Sequence, residues 1–150
     1  MSKKKKYSFN KIEQIVNSIT HKMQQDKYKP NKIVTLARGG FIPARLMARN
    51  LFVKKMYSIG LTLYNQDDKK TFPTIYQPLI GDFNPNDKIL IIDDIVDSGE
   101  SIVIPRNMLQ VKGITNIKTC SVFYKQCSAY TPDYYGKIVP DDEWVVFPWE

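Results

Sequence analysis

The run Lys88-Ile89-Leu90-Ile91-Ile92-Asp93-Asp94-Ile95-Val96-Asp97-Ser98-Gly99-Glu100-Ser101 constrains this chain more tightly than any other segment. It begins as a short apolar stretch rich in β-branched residues, the pattern of a buried strand. Two adjacent carboxylates end it, a third follows three residues later, and a Ser-Gly-x-Ser turn comes next. That turn predicts a helix over residues 100–112, which Gly113 is placed to stop. Strand, acids, glycine turn and helix in this order are the layout of an α/β site at the carboxyl end of a central strand. Backbone N–H groups of such a turn, with the helix N-terminus, bind phosphate, and serine hydroxyls add hydrogen bonds. Two acids just upstream suit a Mg²⁺ ion or a pair of sugar hydroxyls. A phosphate cradle beside carboxylates fits a sugar phosphate that carries a metal-bound pyrophosphate.

The segment resembles the 5-phosphoribosyl-1-pyrophosphate (PRPP) motif of type I phosphoribosyltransferases. That signature is an apolar strand, two acids, two apolar residues, Asp, Thr or Ser, Gly, any residue, then Thr or Ser. Residues 89–101 match it throughout, with Ser98 and Ser101 where Thr is commoner. Two other readings compete. Asp93-Asp94-x-x-Asp97 also matches the DDxxD motif of prenyl-transferring enzymes, but there the acids lie on a helix of a large all-helical protein, and 150 residues are too few. The blander alternative is that the acids merely end a strand and cap a helix. A cap needs one such residue, not five.

At 150 residues the chain is expected to form a single domain with one substantial core. The net charge of +7 comes partly from Lys3-Lys4-Lys5-Lys6, which reads as a solvated, mobile tail over residues 1–7. The remaining basic bias suits polyanionic small ligands and leaves nucleic acid a formal option. No apolar run approaches the roughly 18 residues of a membrane span, and the basic start lacks the apolar stretch of a secretory signal. Cys120 and Cys127 have no metal-ligand spacing with His21, so both read as free thiols in a reducing compartment. These features describe a cytoplasmic protein.

Asn10-x-x-Glu13 looks like a capping box, and Ile12, Ile15, Val16, Ile19 and Met23 follow helical spacing over residues 11–25. Strands are expected over residues 32–36, 55–63, 74–79 and 117–124, and a helix over 41–50 that tolerates Pro43 in its first turn. Residues 64–71 are polar and aperiodic, the pattern of a mobile loop. Pro105 falls inside the motif helix, where it should cost up to about 3 kcal/mol or force a kink. The alternation predicts an α/β fold, a mainly parallel central sheet flanked by helices.

Three further stations carry chemistry. Arg38-Gly39-Gly40 lies between a strand and a helix, where glycines admit an anion close to the backbone and Arg supplies a fork of donors. Residues 141–150 hold both tryptophans of the chain, and aromatic faces stack on heterocyclic bases. Lys125, just after a strand, offers donors only and so favours a carbonyl over an amino group. Each has an ordinary reading too: a glycine turn with a surface Arg, an edge-strand Trp, a solvated Lys.

Together Ala37-Arg38-Gly39-Gly40-Phe41-x-Pro43, Lys125 and Asp142-x-Trp144-x-x-x-Pro148-Trp149 resemble the bacterial xanthine-guanine (6-oxopurine) phosphoribosyltransferases, from about residue 8 onward. The resemblance implies the type I phosphoribosyltransferase fold with a small C-terminal hood. It implies transfer of 5-phosphoribosyl from PRPP to a purine base, with Mg²⁺ as cofactor and pyrophosphate as product. It places PRPP on Arg38, Gly39, Asp93, Asp94, Asp97, Ser98, Gly99, Glu100 and Ser101, with Asp97 as the catalytic base. Lys125, Trp144 and Val145 would hold the purine, Tyr64 would belong to a closing lid, and Asp94 and Glu150 would hold the metal. A homodimer or homotetramer is expected. Two departures bear on substrate choice: Leu63 stands where a Ser usually precedes the lid Tyr, and Gln126-Cys127-Ser128-Ala129 replaces a lysine-proline turn. An adenine or pyrimidine enzyme, and a regulator of the same fold that binds RNA, remain alternatives. The Lys125 and Trp144 base site argues against the regulator, so nucleic acid is not an expected partner.

Overall fold

The computed structural model describes residues 2–64 and 70–150. Eight strands and three helices follow in the order β1 (Lys3–Lys6), α1 (Phe9–Gln25), β2 (Lys32–Ala37), α2 (Phe41–Leu51), β3 (Lys55–Tyr64), β4 (Lys70–Gln77), β5 (Lys88–Val96), α3 (Glu100–Val111), β6 (Asn116–Tyr124), β7 (Tyr134–Ile138) and β8 (Glu143–Val146). Six strands form the main sheet in the order β4-β3-β2-β5-β6-β7. Every neighbouring pair in it is parallel except β3 with β4. The mainly parallel α/β sheet expected from the alternation is present.

Successive side chains of a strand face opposite ways, and β5 buries both sets. Leu90 and Ile92 meet the buried face of α1 (Ile12, Val16, Met23) and Met47 of α2. Ile89, Ile91 and Val96 meet Ile102 and Leu109 of α3 on the other side. From the central pair the chain moves outward in two directions, β2 through α2 to β3, and β5 through α3 to β6. The carboxyl ends of β2 and β5 therefore flank a topological switch point, where α/β sheets open a ligand crevice.

Four points stand out against those expectations. The lysine run is not a tail: Lys3–Lys6 pair in parallel with β8, Lys4 opposite Trp144, and all four side chains stay exposed. Backbone pairing to the hood, invisible in a run of identical charged residues, decides its structure. Second, α1 starts earlier and is capped by Ser8, whose Oγ accepts the Lys11 N–H at 3.1 Å, and not by the Asn10 box. Third, α3 runs through Pro105, which shares a buried stripe with Ile102 and Leu109. Its ring serves as an apolar contact, and the bond it forgoes is to the Ser101 carbonyl, in the first turn. Fourth, of the loop expected over residues 64–71, Tyr64 belongs to β3 and Lys70 and Thr71 to β4, while residues 65–69 lie outside the described residues.

Lys32 opens β2 almost fully buried, its ammonium 2.7 Å from Asp87 Oδ2 and donating also to the Asp82 carbonyl. Burial alone would raise the Asp87 carboxyl. Donors from the Asn84 N–H, Lys32 and Asn31 outweigh it and hold the group below its ordinary value. A depressed carboxylate contributes stability that is present above its unfolded value, about 3.9, and lost as pH falls through the folded value. Lys32 is shifted up, so its contribution is lost only as pH rises past its own folded value. Asp87→Ala leaves a buried ammonium unpaired and is expected to destabilise the fold by about 3–5 kcal/mol at neutral pH. Urea unfolding checks this, and the difference from wild type should shrink below about pH 4.

Candidate active site

A cavity of about 740 Å³ opens at the carboxyl end of β5, lined by Asp93, Asp94, Ile95, Val96, Asp97, Ser98, Gly99, Ser101, Ile102, Leu63 and Trp144. Strand β5 delivers the acids, the turn after it delivers Ser98 and Gly99, and the first turn of α3 delivers Ser101 and Ile102. Asp93 and Asp94 are half-buried. Each accepts the backbone N–H of the next residue, at 2.8 and 2.7 Å. Burial, and then the neighbouring Asp94 charge, hold Asp93 well above the usual carboxylate range. Burial also raises Asp94, against hydrogen bonds that favour its charge, and Glu150 adds repulsion. The C-terminal Glu150 thus lies within electrostatic reach of Asp94.

At the end of β2 the loop Arg38-Gly39-Gly40 runs beside the acids. The Ala37–Arg38 peptide bond is cis. A Cβ at Gly39 would overlap the Asp94 carboxylate, so only glycine brings this backbone so close. In the other loop Gly99 has φ +87°, and a Cβ there would come within 2.7 Å of Ser128 Oγ and 2.8 Å of Tyr130 Cβ. Ser98 Oγ accepts the Glu100 N–H at 3.3 Å, and the Ser98 carbonyl accepts the Ala129 N–H at 3.2 Å. The turn is thereby braced from both sides, with α3 projecting its N-terminus toward the cavity.

Asp97 is mostly exposed, at 63%, whereas its partner Lys125 is only 8% exposed, with Nζ 3.4 Å from Asp97 Oδ2. The Lys125 N–H also donates to the Val96 carbonyl, tying the end of β6 to the end of β5. From the other side β8 presents Trp144, 57% exposed, over the cavity. Strand alternation turns the next residue inward, and the Val145 side chain is buried in the core with Phe147. Any part Val145 has in holding a base therefore falls to its main chain, since its side chain is in the core.

Of the residues singled out in the sequence, Asp93, Asp94, Asp97, Ser98, Gly99, Ser101 and Trp144 line one cavity, and Arg38, Gly39, Glu100, Lys125 and Glu150 border them. The side chain of Tyr64 lies outside the described residues. Leu63, marked in the sequence only as a departure, forms an apolar wall. Ser128, marked only within the departing turn 126–129, and Tyr130 both brace Gly99, a role the sequence does not signal because it depends on a loop folding back from β6. Among the described residues no group of three or more metal-ligating side chains occurs. Asp94, with Glu150 within electrostatic reach, offers carboxylate oxygens of the kind that share an ion with phosphates and water.

Carboxylates, a phosphate-type turn and an aromatic hood around one crevice define an α/β enzyme for a ligand that combines phosphates with a planar ring. Residues 7–150 match the phosphoribosyl transferase domain, and the chain belongs to that family. It is 28% identical over 118 residues to the xanthine-guanine phosphoribosyltransferase of Cereibacter sphaeroides, covering 79% of this chain and 68% of that protein. It is 31% identical over 119 residues to the enzyme of the same name from Gluconobacter oxydans, covering 79% and 67%. A purine phosphoribosyltransferase from Pyrococcus horikoshii superimposes with a TM-score of 0.84 at 28% identity, over 98% of this chain and 93% of that one. No helix among the described residues is long and apolar enough to cross a membrane.

Proposed function

We propose that this phosphoribosyltransferase moves the 5-phosphoribosyl group of PRPP to N9 of a 6-oxopurine (guanine, xanthine or hypoxanthine), a step of purine salvage. The observation that carries the base assignment is Lys125 beside Asp97, 3.4 Å apart, at the mouth of the cavity that Trp144 covers. A 6-oxopurine presents O6 and N7 as neighbours on one edge. An ammonium donor for O6 next to a carboxylate that accepts a proton from N7 matches that edge. The names of the relatives support the same reading.

In the reaction the bond from the anomeric carbon to pyrophosphate breaks with its electron pair leaving on oxygen, and the bond from N9 forms. The N7 proton passes to Asp97, which serves as general base. Ser98 and Ser101 hydroxyls and the Gly99 and Glu100 N–H groups hold the 5′-phosphate, and Arg38 with the Gly39 N–H holds the departing pyrophosphate. Asp93 accepts from a ribose hydroxyl, while Asp94, with Glu150 nearby, would hold Mg²⁺. Bound there, Mg²⁺ offsets negative charge on the leaving group. Trp144 stacks on the purine and the Val145 main chain borders it. Tyr64 belongs to a lid that excludes water, a competing acceptor.

The deciding experiment incubates the protein with PRPP, Mg²⁺ and each base in turn and follows pyrophosphate release. Turnover with a 6-oxopurine is expected, and none without a base. Excess EDTA should abolish turnover, and full activity in EDTA would overturn the metal role of Asp94. Gly39→Ala places a methyl group against the Asp94 carboxylate. It is expected to raise KM for PRPP about tenfold or more, with little change in Tm, because only the loop or the acid shifts. Steady-state kinetics beside a thermal melt separate the two effects.

A further inference from the structure

Where β2, β3 and β5 begin, a second cavity of about 950 Å³ opens, larger than the one at their carboxyl ends. A six-residue strand such as β2 spans about 20 Å, so the two sites sit on opposite edges of the sheet. The rim comes from residues 27–32 after α1 and 51–55 between α2 and β3, with Asn84 and Asp87 also lining it. The transferase chemistry uses none of these residues.

Five lysines line the cavity: Lys27, Lys29, Lys32, Lys54 and Lys55. Lys32 is neutralised by Asp87. The other four are exposed, and none belongs to an ion pair among the described residues. The C-termini of α1 and α2 point here and bring roughly −0.5 charge each. Asp82, whose charge Lys32 also feels, removes at most one more. Four ammonium groups thus leave a surplus of about +2 around a hollow of small-molecule size.

Two backbone features on the same rim indicate what else the ligand carries. Lys27 and Phe52 are the non-glycine residues with left-handed φ among the described residues, at +56° and +58°. Phe52 closes α2 with its N–H donating to the Ala48 carbonyl, a position that glycine usually fills without strain. Phe52 as a whole is 88% exposed, so packing does not account for a bulky aromatic there. A phenyl face held in solvent beside four exposed ammonium groups suits a heterocyclic base whose phosphates reach the lysines.

We propose that this cavity binds a nucleoside polyphosphate, with its phosphates on Lys27, Lys29, Lys54 and Lys55 and its base on Phe52, apart from the transferase centre. A volume of about 950 Å³ is the size of a single nucleotide site and not of a groove for a continuous strand. ATP is the probe, titrated calorimetrically at low and high salt against wild type, Phe52→Gly, the double variant Lys54→Gln/Lys55→Gln, and Trp144→Ala. Binding should weaken with salt. It should also fall about tenfold or more in Phe52→Gly and in the double variant, and stay unchanged in Trp144→Ala. Phe52→Gly relieves the left-handed residue, so its Tm should not fall, which separates lost binding from lost folding. Transferase kcat and KM measured without ATP should be unchanged in both cavity variants. Absence of ATP binding, or binding that only Trp144→Ala weakens, overturns the site. Tripolyphosphate binding as tightly as ATP overturns the role of Phe52. Single-stranded oligonucleotide binding far tighter than ATP on the same lysines overturns the mononucleotide assignment. Because the readout is binding, an inactive transferase does not decide it.

Discussion

Asp97→Asn is expected to lower kcat by about 10²–10⁴, the usual contribution of a positioned general base. The amide keeps the size of the carboxylate but cannot take the N7 proton at neutral pH. Asp97 is mostly exposed, unlike the half-buried acid pair, so its replacement should leave the fold intact. PRPP affinity should largely survive, because the phosphate turn and the Gly39 loop are untouched. Single-turnover kinetics with saturating PRPP, beside an equilibrium titration of PRPP, isolate the chemical step. An Asn variant that turns over as fast as wild type would remove Asp97 from the mechanism.

The second large effect is base selection. Lys125 carries donors only, and its ammonium is nearly buried, so a ligand that places an amino group there leaves two donors facing each other. Sites that reject a ligand by leaving buried polar groups unpaired discriminate by about 10⁴–10⁵. The mouth of this cavity is partly open, and a preference in kcat/KM for a 6-oxopurine over adenine on the order of 10³ or more is expected. Trp144→Ala should raise KM for the base by the roughly 1–3 kcal/mol of a lost stack, while PRPP affinity stays close to wild type. Efficient turnover of adenine with none of guanine, hypoxanthine or xanthine would sink the Lys125 assignment. Absence of turnover with any base, together with tight and salt-sensitive RNA binding, would favour a regulator.

The motif strand and its turn were legible because the information is local. A continuous apolar run, two acids and a glycine turn lie within 14 consecutive residues, and each feature states its own geometry. Arg38-Gly39 was readable for the same reason, although nothing in the sequence shows that Gly39 abuts Asp94 from the neighbouring strand. What stayed hidden depends on contacts between distant segments. A four-lysine run has no pattern, and only the hydrogen bonds offered by β8 make it a strand. The inward turn of Val145 follows from which face of β8 meets the core, and the sequence leaves that face unspecified. The reason a proline stands inside the expected helix is also non-local: its ring belongs to the buried stripe of α3.

The pairing of β1 with β8 divides the site by contact order. The acids and the phosphate turn come from one continuous stretch around β5, so their geometry is set as soon as the central sheet forms. Trp144 is fixed by a two-stranded ribbon in which it lies opposite Lys4, 140 positions earlier (144 − 4). Closing a loop of that length carries a large entropic cost that two short strands only partly offset. Local opening of that ribbon detaches the base-stacking wall while the central sheet keeps the ribose-phosphate half in place. Hydrogen exchange in residues 3–6 and 143–146 therefore reports the hood as a unit distinct from the sheet it covers.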